Sequence, residues 1–122
     1  MTEQQFIVRE IKTIDQFKTI IDDSTENPSL VVIDFFSDWC PPCKMIAPYI
    51  DELAKIYKNV SFCKINTGTA ELKIVCDACE IRSIPTFCYF YGGTYLSKVV
   101  GADKNKIEEH IKKYENGEKI EK

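Results

Sequence analysis

The chain has 122 residues, of which 44% are hydrophobic and 29% are charged, and its formal net charge is −3. This length and apolar content suit a single compact domain with its own hydrophobic core. Basic and acidic residues are interspersed, so the sequence offers no basic stripe that would follow a nucleic-acid backbone. We therefore expect a protein that binds neither DNA nor RNA.

The start of the chain and its cysteine content both bear on the compartment. Residues 1–17 lack the basic and apolar regions of a signal peptide, and no apolar run approaches the roughly 18 residues that a membrane span needs. Six cysteines do not indicate a secreted disulfide scaffold here, because such scaffolds compensate for a core that this chain can build. We expect a cytoplasmic protein with no membrane contact.

The first part of the chain predicts a strand, a helix and a buried strand. Residues 6–11 (FIVREI) alternate between apolar and polar as a half-buried strand does. The helix that follows opens with Thr13 and Gln16, which have the spacing of a capping box. Residues 30–36 (LVVIDFF) form an apolar run that only Asp34 interrupts, which predicts a strand buried on both faces.

The rest of the chain predicts three helices and three strands. In chain order they are a helix over 44–58, a strand over 60–66, a helix over 69–80, the two strands of a hairpin over 86–91 and 94–100, and a helix over 104–114. Helices that alternate with strands and then give way to a hairpin predict an α/β sheet of mixed direction. We expect one domain over 1–115 and a polar tail over 116–122 that frays.

Two cysteines of the segment WCPPC, Cys40 and Cys43, lie where the buried strand meets a helix. A helix N-terminus carries partial positive charge and unpaired N–H groups, and both favour a thiolate over a thiol. The thiolate is the nucleophile in disulfide exchange, so Cys40 at the N-cap is the expected attacker. Cys43, one turn into the helix, is the expected resolving thiol. Their spacing suits the Cα separation of about 4.4–6.8 Å that a disulfide needs.

The two prolines between these cysteines limit the hydrogen-bond donors at the helix start. A proline at the first helical position gives up only an N–H that has no partner within the helix. Pro42 removes the second helical N–H, so the N–H of Cys43 is the donor expected to reach the side chain of Cys40. Pro41 removes another amide and stiffens the loop. We expect both effects to make the dithiol a stronger reductant.

Four separated segments of the chain resemble the thioredoxin family and occur in that family's order. They are WCPPCK at 39–44, the aspartate of VVIDFF at 31–36, RSIPT at 82–86 and VVGA at 99–102. The resemblance implies a thioredoxin fold, which is a five-stranded mixed β-sheet flanked by four α-helices. It also implies a thiol–disulfide oxidoreductase, an electron carrier that reduces protein disulfides with Cys40 as nucleophile and Cys43 as resolving thiol.

The resemblance further implies how the resolving cysteine loses its proton. Asp34 resembles the family's buried carboxylate that accepts this proton, and burial among apolar residues would raise its pKa toward neutral. Lys64 matches the family's lysine near that aspartate, which tunes it. The alternatives are a purely structural buried charge at Asp34 and an ordinary strand lysine at Lys64.

A client-binding surface also follows from the resemblance. Pro85 resembles the family's cis-proline facing the dithiol; since an Ile-Pro bond is cis in only about 5–6% of cases, this expectation rests on the resemblance alone. Beside it, the backbone of Ile84 is expected to pair with an extended client segment. The other residues of the implied surface are Trp39, Pro41, Pro42 and Gly101.

The partners implied by the resemblance are a thioredoxin reductase, which supplies electrons from NADPH, and disulfide-containing clients such as peroxiredoxins. The protein itself is expected to hold no cofactor and no metal, and to be a monomer.

The motif departs from the usual family pattern at Pro41, where thioredoxins usually carry glycine. WCPPC also occurs in tryparedoxins, so a tryparedoxin-like specialised disulfide reductase is one alternative. The helix after the motif here follows the thioredoxin pattern instead.

A second departure is the additional pair Cys76 and Cys79. The two could form a secondary redox couple, or join Cys40 and Cys43 in a zinc or iron–sulfur site with four thiolates. Against both alternatives, the pair shares one helical face with apolar residues, so a core position is favoured.

The remaining cysteines and the single histidine carry no expected role in the chemistry. Cys63 and Cys88 fall within predicted strands, and we expect them to be buried and inert. His110 shares a helix face with apolar residues and is expected at the helix surface or the edge of the core.

Overall fold

The computed structural model describes residues 7–117 of the chain. Five strands and four helices follow one another in this range. In chain order they are β1 (Arg9–Glu10), α1 (Ile14–Glu26), β2 (Leu30–Phe36), α2 (Pro41–Ile56), β3 (Ser61–Asn66), α3 (Lys73–Ala78), β4 (Thr86–Tyr91), β5 (Thr94–Val100) and α4 (Lys104–Tyr114). The predicted set of five strands and four helices is confirmed.

The five strands form one mixed sheet in the order β1-β3-β2-β4-β5. The strands β1, β3 and β2 run parallel, whereas β4 runs antiparallel to both β2 and β5. The register pairs Phe35 of β2 with Thr86 of β4, and Thr86 with Val100 of β5. The end of β2, the start of β4 and the end of β5 therefore meet at one edge of the sheet.

Both faces of the sheet are buried, because successive side chains of a strand point to opposite sides. Along β2, Leu30 and Val32 face a core shared with α2 and α4, while Val31, Ile33 and Phe35 face a core under α1 and α3. The predicted double burial of this strand is thus confirmed. Within residues 7–117, none of the helices covering the sheet is long and apolar enough to cross a membrane.

Three of the helices have an N-cap residue whose side chain accepts a hydrogen bond from the first turn. Thr13 accepts a hydrogen bond from the N–H of Gln16, whose side chain accepts one from the N–H of Thr13, so the predicted capping box is present. Cys40 caps α2 and Asp103 caps α4, each through a side chain that accepts from the N–H three residues further on.

The first strand is shorter than the sequence predicts. A strand was expected over 6–11, but β1 spans only Arg9–Glu10, because its register with β3 covers only these two residues. Residue 6 lies outside the described range. The frayed tail expected over 116–122 falls largely outside it too, since the description ends at residue 117.

The helix predicted over 69–80 is also divided and shortened. It begins with a 3-10 turn at Ala70–Leu72, a common form for a helix terminus, and α3 ends at Ala78. Glu80 then adopts a φ of 53°, a left-handed conformation that a right-handed helix cannot continue through. The chain leaves the helix at Glu80 and continues toward β4.

Candidate active site

The two cysteines of WCPPC form a disulfide at the start of α2. Cys40 is the N-cap residue, with φ −100° and ψ 102°, and its Cα lies 5.2 Å from the Cα of Cys43. The N–H of Cys43 donates to Sγ of Cys40 at 3.2 Å, which confirms the predicted hydrogen bond. The sulfur of Cys40 thus takes the place of an N-cap oxygen at the positive end of the helix.

The prolines determine which amide reaches that sulfur. Pro41 and Pro42 occupy the first two helical positions, and neither carries an N–H. The N–H of Lys44 is bonded to the carbonyl oxygen of Cys40 at 3.1 Å. In the first turn of α2, the N–H of Cys43 is therefore the backbone donor left for the sulfur of Cys40.

The disulfide is shielded from solvent, whereas the residue before it is not. Cys40 is 7% exposed and Cys43 is 4% exposed, a smaller contrast than we expected between an outer attacker and a shielded resolving thiol. Trp39 is 90% exposed, so it lies on the surface and outside the core. The turn that presents these residues is closed by Ser37, which sequence reasoning missed and whose carbonyl oxygen accepts from the N–H of Cys40 at 3.4 Å.

Asp34 lies on the face of β2 that α2 covers. Because side chains alternate along the strand, Asp34 points to the same side as Leu30 and Val32, whose core includes the inner face of α2. The side chain is buried, and its Oδ1 has no hydrogen-bond partner among the described residues. Burial raises the pKa of Asp34 from 3.8 to about 7, although the charge of Lys64 acts in the opposite direction. Such a carboxyl can exchange a proton near neutral pH.

Lys64 is the register neighbour of Asp34 on the parallel strand β3. Its side chain is half-buried, and its Nζ lies 5.4 Å from the centroid of the Phe36 ring. This distance is in the range of a cation–π contact, which holds the ammonium beside the strand that carries Asp34. The structure therefore brings the predicted carboxyl and lysine together.

The predicted proline and glycine lie together at the sheet edge where β2 ends. The Ile84–Pro85 peptide bond is cis, as the resemblance implies, and Pro85 directly precedes β4. The N–H of Gly101, just after β5, donates to the carbonyl oxygen of Pro85 at 2.8 Å. Gly101 has a φ of 96°, which residues with side chains rarely adopt. The segment that leads to Trp39 and Cys40 begins at this same edge.

Cys76 and Cys79 are buried in the core under α1 and α3, in the same cluster as Leu72 and Val75. The predicted apolar stripe is therefore confirmed. The helix α2 packs on the other face of the sheet, so the sheet separates the two Cys-x-x-Cys units. Over residues 7–117, no three His, Cys, Asp or Glu side chains form a group that could hold a metal ion. The alternative with four thiolates around a metal is not assembled.

The remaining cysteines are buried in strands, as predicted, but they differ in their surroundings. Burial raises the pKa of Cys63 to about 11. Cys88 instead lies in the same core cluster as Cys79, under α1 and α3. This placement depends on how α3 packs against β4, and no pattern in the sequence reports it.

His110 is half-buried at the edge of the core, as expected. Its ring centroid lies 5.3 Å from that of Tyr89 and 6.0 Å from that of Tyr114. Its Nδ1 lies 2.9 Å from the carbonyl oxygen of Lys106, one turn earlier in α4. These contacts give the histidine a place in the packing of α4 on the sheet.

A sulfur held on a helix N-terminus can be released as a stabilised thiolate and bridged again, and this chemistry defines a thiol–disulfide oxidoreductase. Comparison with known proteins agrees with that class. The family model described as Thioredoxin matches residues 8–113. The chain belongs to the thioredoxin family.

Individual relatives and solved structures agree with this assignment. A thioredoxin-like protein of Acanthamoeba polyphaga mimivirus is 46% identical over 104 residues, which cover 85% of this chain and 74% of the relative. The thioredoxin NaTrxh of Nicotiana alata has a TM-score of 0.82 at 31% identity, covering 88% of this chain and 92% of its own. The thioredoxin fold and the activity of a protein-disulfide oxidoreductase are thereby confirmed.

A third similar structure comes from work on thiol resolution in yeast mitochondrial 1-Cys peroxiredoxin by the glutathione and thioredoxin systems. Its TM-score is 0.76 at 28% identity, and the match covers 86% of this chain and 93% of that one.

Proposed function

We propose that this chain reduces the disulfides of client proteins through Cys40 and Cys43. The thiolate of Cys40 attacks one sulfur of the client disulfide, and the other client sulfur leaves as a thiolate. Cys43 then attacks Sγ of Cys40 in the mixed disulfide, which releases the second client thiolate and forms the Cys40–Cys43 disulfide. The observation that carries this proposal is the 3.2 Å hydrogen bond from the N–H of Cys43 to Sγ of Cys40, because that donor favours a charged sulfur.

Asp34 is the proton acceptor in this proposal. Cys43 must lose its proton before it attacks, and Asp34 lies on the sheet face covered by the helix that carries Cys43. A pKa of about 7 suits a group that accepts a proton near neutral pH. Lys64 lowers that pKa through its charge and so tunes the acceptor.

Client segments bind at the sheet edge beside the disulfide. The strand β4 begins only at Thr86, so the backbone of Ile84 lies outside its ladder and can pair with an extended chain. The exposed ring of Trp39 supplies apolar contact. The other residues of this surface are Pro41, Pro42, Pro85 and Gly101. Recognition through main-chain groups suits a protein that acts on many client sequences.

Electrons reach the site from NADPH through a thioredoxin reductase, and peroxiredoxins are among the clients. Membership of the thioredoxin family supports the reductase, and the likeness to a chain studied with a yeast peroxiredoxin supports the client class. The chain binds no cofactor in this cycle, because its two sulfurs carry the electrons.

The proposal places the protein in the cytoplasm, as a monomeric electron carrier. The four further cysteines are free thiols, and free thiols suit a reducing compartment. Residues 1–115 act as one domain, with 116–122 as a tail, and the family match over 8–113 falls within those limits.

An insulin-disulfide reduction assay with NADPH and a thioredoxin reductase tests the proposal. We expect turnover by the native chain and none by Cys40→Ser. Cys63→Ala is the matched control, because that thiol is buried in β3, and it should keep native turnover. A native chain without turnover, or a Cys40→Ser variant that retains it, would contradict the proposal.

A further inference from the structure

A groove of about 540 Å³ lies beside the proposed client site. It is lined by residues 67–70, by residues 81–84 and by three residues of α3. The first segment follows β3 at the sheet edge where β2 ends, since the N–H of Thr67 donates to the carbonyl oxygen of Phe36 at 2.8 Å. The second segment ends at Ile84, whose backbone is proposed to pair with a client. The groove is therefore continuous with the client site.

The backbone before Ile84 offers a longer stretch for pairing. Among residues 7–117, the backbone N–H and carbonyl groups of Arg82 and Ile84 make no hydrogen bond. A proline disfavours the helical conformation in the residue before it, so Ile84 is biased toward an extended backbone. In an extended segment, residues two apart present their N–H and carbonyl groups to the same side. An extended client that pairs with Ile84 therefore continues along Arg82.

The charges that line the groove do not balance. Three charged residues line it, namely Lys73, Asp77 and Arg82. Nζ of Lys73 lies 2.8 Å from Oδ2 of Asp77, so these two charges largely offset each other. Among the described residues Arg82 has a single ionic contact, with Glu80 at 3.9 Å, and both side chains are mostly exposed. Since exposed pairs contribute little, Arg82 leaves the groove with a positive charge.

The guanidinium of Arg82 is well suited to bind a carboxylate of a client. Its side chain is 86% exposed, so a partner can reach it from solvent. Guanidinium presents a planar fork of donors that matches a carboxylate with two parallel hydrogen bonds. The long contact with Glu80 does not have this geometry, so a client carboxylate gains more from Arg82 than Glu80 loses. A basic client residue at the same place is repelled.

We infer that this groove receives the part of an extended client that continues past Ile84, and that Arg82 selects clients with acidic residues near the reacting cysteine. The inference rests on the proposed function and adds a substrate class to it. Arg82 acts here on client binding, through its charge, and takes no part in the exchange between sulfurs. It is therefore a specificity-determining residue.

The test measures how fast the full chain reduces two peptide disulfides in a single turnover. The protein is first reduced with dithiothreitol, which is then removed, and the released peptide thiols are counted by liquid chromatography. Each substrate is a symmetric disulfide of a peptide with one central cysteine. The two peptides differ only in the residues on both sides of that cysteine, which are glutamates in one and glutamines in the other. Charge on both sides makes the result independent of the direction in which the client lies.

The quantity compared is the ratio of the rate constant for the glutamate peptide to that for the glutamine peptide. Flanking charge also alters the intrinsic reactivity of a disulfide, but this effect cancels when the ratio of the native chain is divided by that of Arg82→Gln. We expect the quotient to be about two to five, which corresponds to an exposed ion pair, and to approach one in high salt. The ratio for Arg82→Glu should fall below that for Arg82→Gln.

Arg9→Gln is the matched control, because it removes the other arginine of the chain, which lies in β1 and lines other cavities. It should keep the native ratio. A quotient of one for Arg82→Gln, or an equal change in Arg9→Gln, would overturn the inference while reduction of the glutamine peptide still supports the proposed function. If the native chain does not reduce the glutamine peptide, the proposed function fails and the inference with it. A general loss of activity in a variant cancels in the ratio.

Discussion

Asp34 and Lys64 are neighbours across the parallel strands β2 and β3, and their side chains leave the same face of the sheet. Two effects therefore act on the pKa of Asp34 in opposite directions. Burial favours the neutral acid, and the lysine charge favours the carboxylate. Burial is the larger effect, so the pKa of Asp34 stands at about 7 and not below its ordinary 3.8. The stability of the fold must therefore depend on pH through this residue.

The sign of that dependence follows from the raised pKa. The folded state holds the proton of Asp34 more tightly than the unfolded state does. The resulting contribution to the free energy of unfolding is fully present below pH 3.8 and is lost as pH rises through about 7. The change is roughly 1.4 kcal/mol for each pH unit between those two values, so the free energy of unfolding of the native chain falls by up to about 4 kcal/mol. We expect Asp34→Asn, which stays neutral, to exceed the native free energy of unfolding by up to that amount at pH 8 and by little at pH 4.

Urea unfolding followed by circular dichroism at pH 4, 6 and 8 measures this difference. Asp38→Asn is the matched control, because Asp38 is exposed and, among residues 7–117, its carboxylate accepts only from the side chain of Asn66 at 3.3 Å. At pH 8 its free energy of unfolding should differ from that of the native chain by less than that of Asp34→Asn does. A gap between Asp34→Asn and the native chain that stays the same from pH 4 to 8 would show that burial does not control this carboxyl.

The same substitution separates a proton acceptor from a structural charge. If Asp34 takes the proton of Cys43, Asp34→Asn should slow disulfide reduction near pH 7 by about 10²-fold or more, the usual contribution of general base catalysis. The deficit should shrink as pH rises, because hydroxide can then take the proton in place of Asp34. Stopped-flow measurement of insulin reduction from pH 6 to 9 follows this profile. A rate loss that does not change with pH would assign Asp34 to structure.

Pro41 should set the reduction potential of the Cys40–Cys43 pair. Glycine at this position restores an N–H near the sulfur of Cys40 and loosens the loop, and both changes favour the open dithiol. If the added donor contributes about 1 kcal/mol, the potential of Pro41→Gly rises by about 20 mV. Equilibration with a glutathione buffer measures it. Pro48→Ala, inside the same helix, should keep the native potential, and an equal or lower potential in Pro41→Gly would contradict the explanation.

Tyr57 should stabilise the contact between α2 and α4. Its hydroxyl donates to Oε2 of Glu108 at 2.7 Å, and this bond is the main reason that the pKa of Glu108 is lowered. Because the carboxylate is partly exposed, we expect Tyr57→Phe to lose only about 1 kcal/mol at pH 7. A group with a depressed pKa stabilises the fold above its ordinary value of 4.5 and less as pH falls below it, so the loss should shrink in acid.

Urea unfolding at pH 7 and pH 3 tests this dependence on pH. Tyr49→Phe offers the comparison, since its hydroxyl reaches Oε1 of the same carboxylate at the longer distance of 3.2 Å and should cost less. An equal loss for Tyr57→Phe at both pH values would assign its effect to packing.

The features that follow local rules could be predicted from the sequence. The capping box of Thr13 and Gln16, the double burial of β2 and the donation from Cys43 to the sulfur of Cys40 each depend on residues within one element or its start. The cis bond before Pro85 is different, because local preference opposes it and only the family resemblance indicates it.

Features that depend on packing between elements could not be predicted. The length of β1 depends on how far its backbone stays in register with β3, and the end of α3 depends on the left-handed conformation of Glu80. The burial of Cys79 and Cys88 in one core cluster needs both the position of α3 over the sheet and the alternation along β4. The sequence spacing of the cysteines points to Cys76 instead, since it reports only neighbours within one helix.

The exposure of Trp39 has a consequence for how this protein can be observed. It is the single tryptophan of the chain, it stands next to Cys40, and it is already 90% exposed in the folded state. Unfolding therefore changes its contact with water very little, and its fluorescence is a poor probe of global stability. The same emission comes only from the residue beside the dithiol, so it reports the opening and closing of that bond, and the binding of a client there, without an added label.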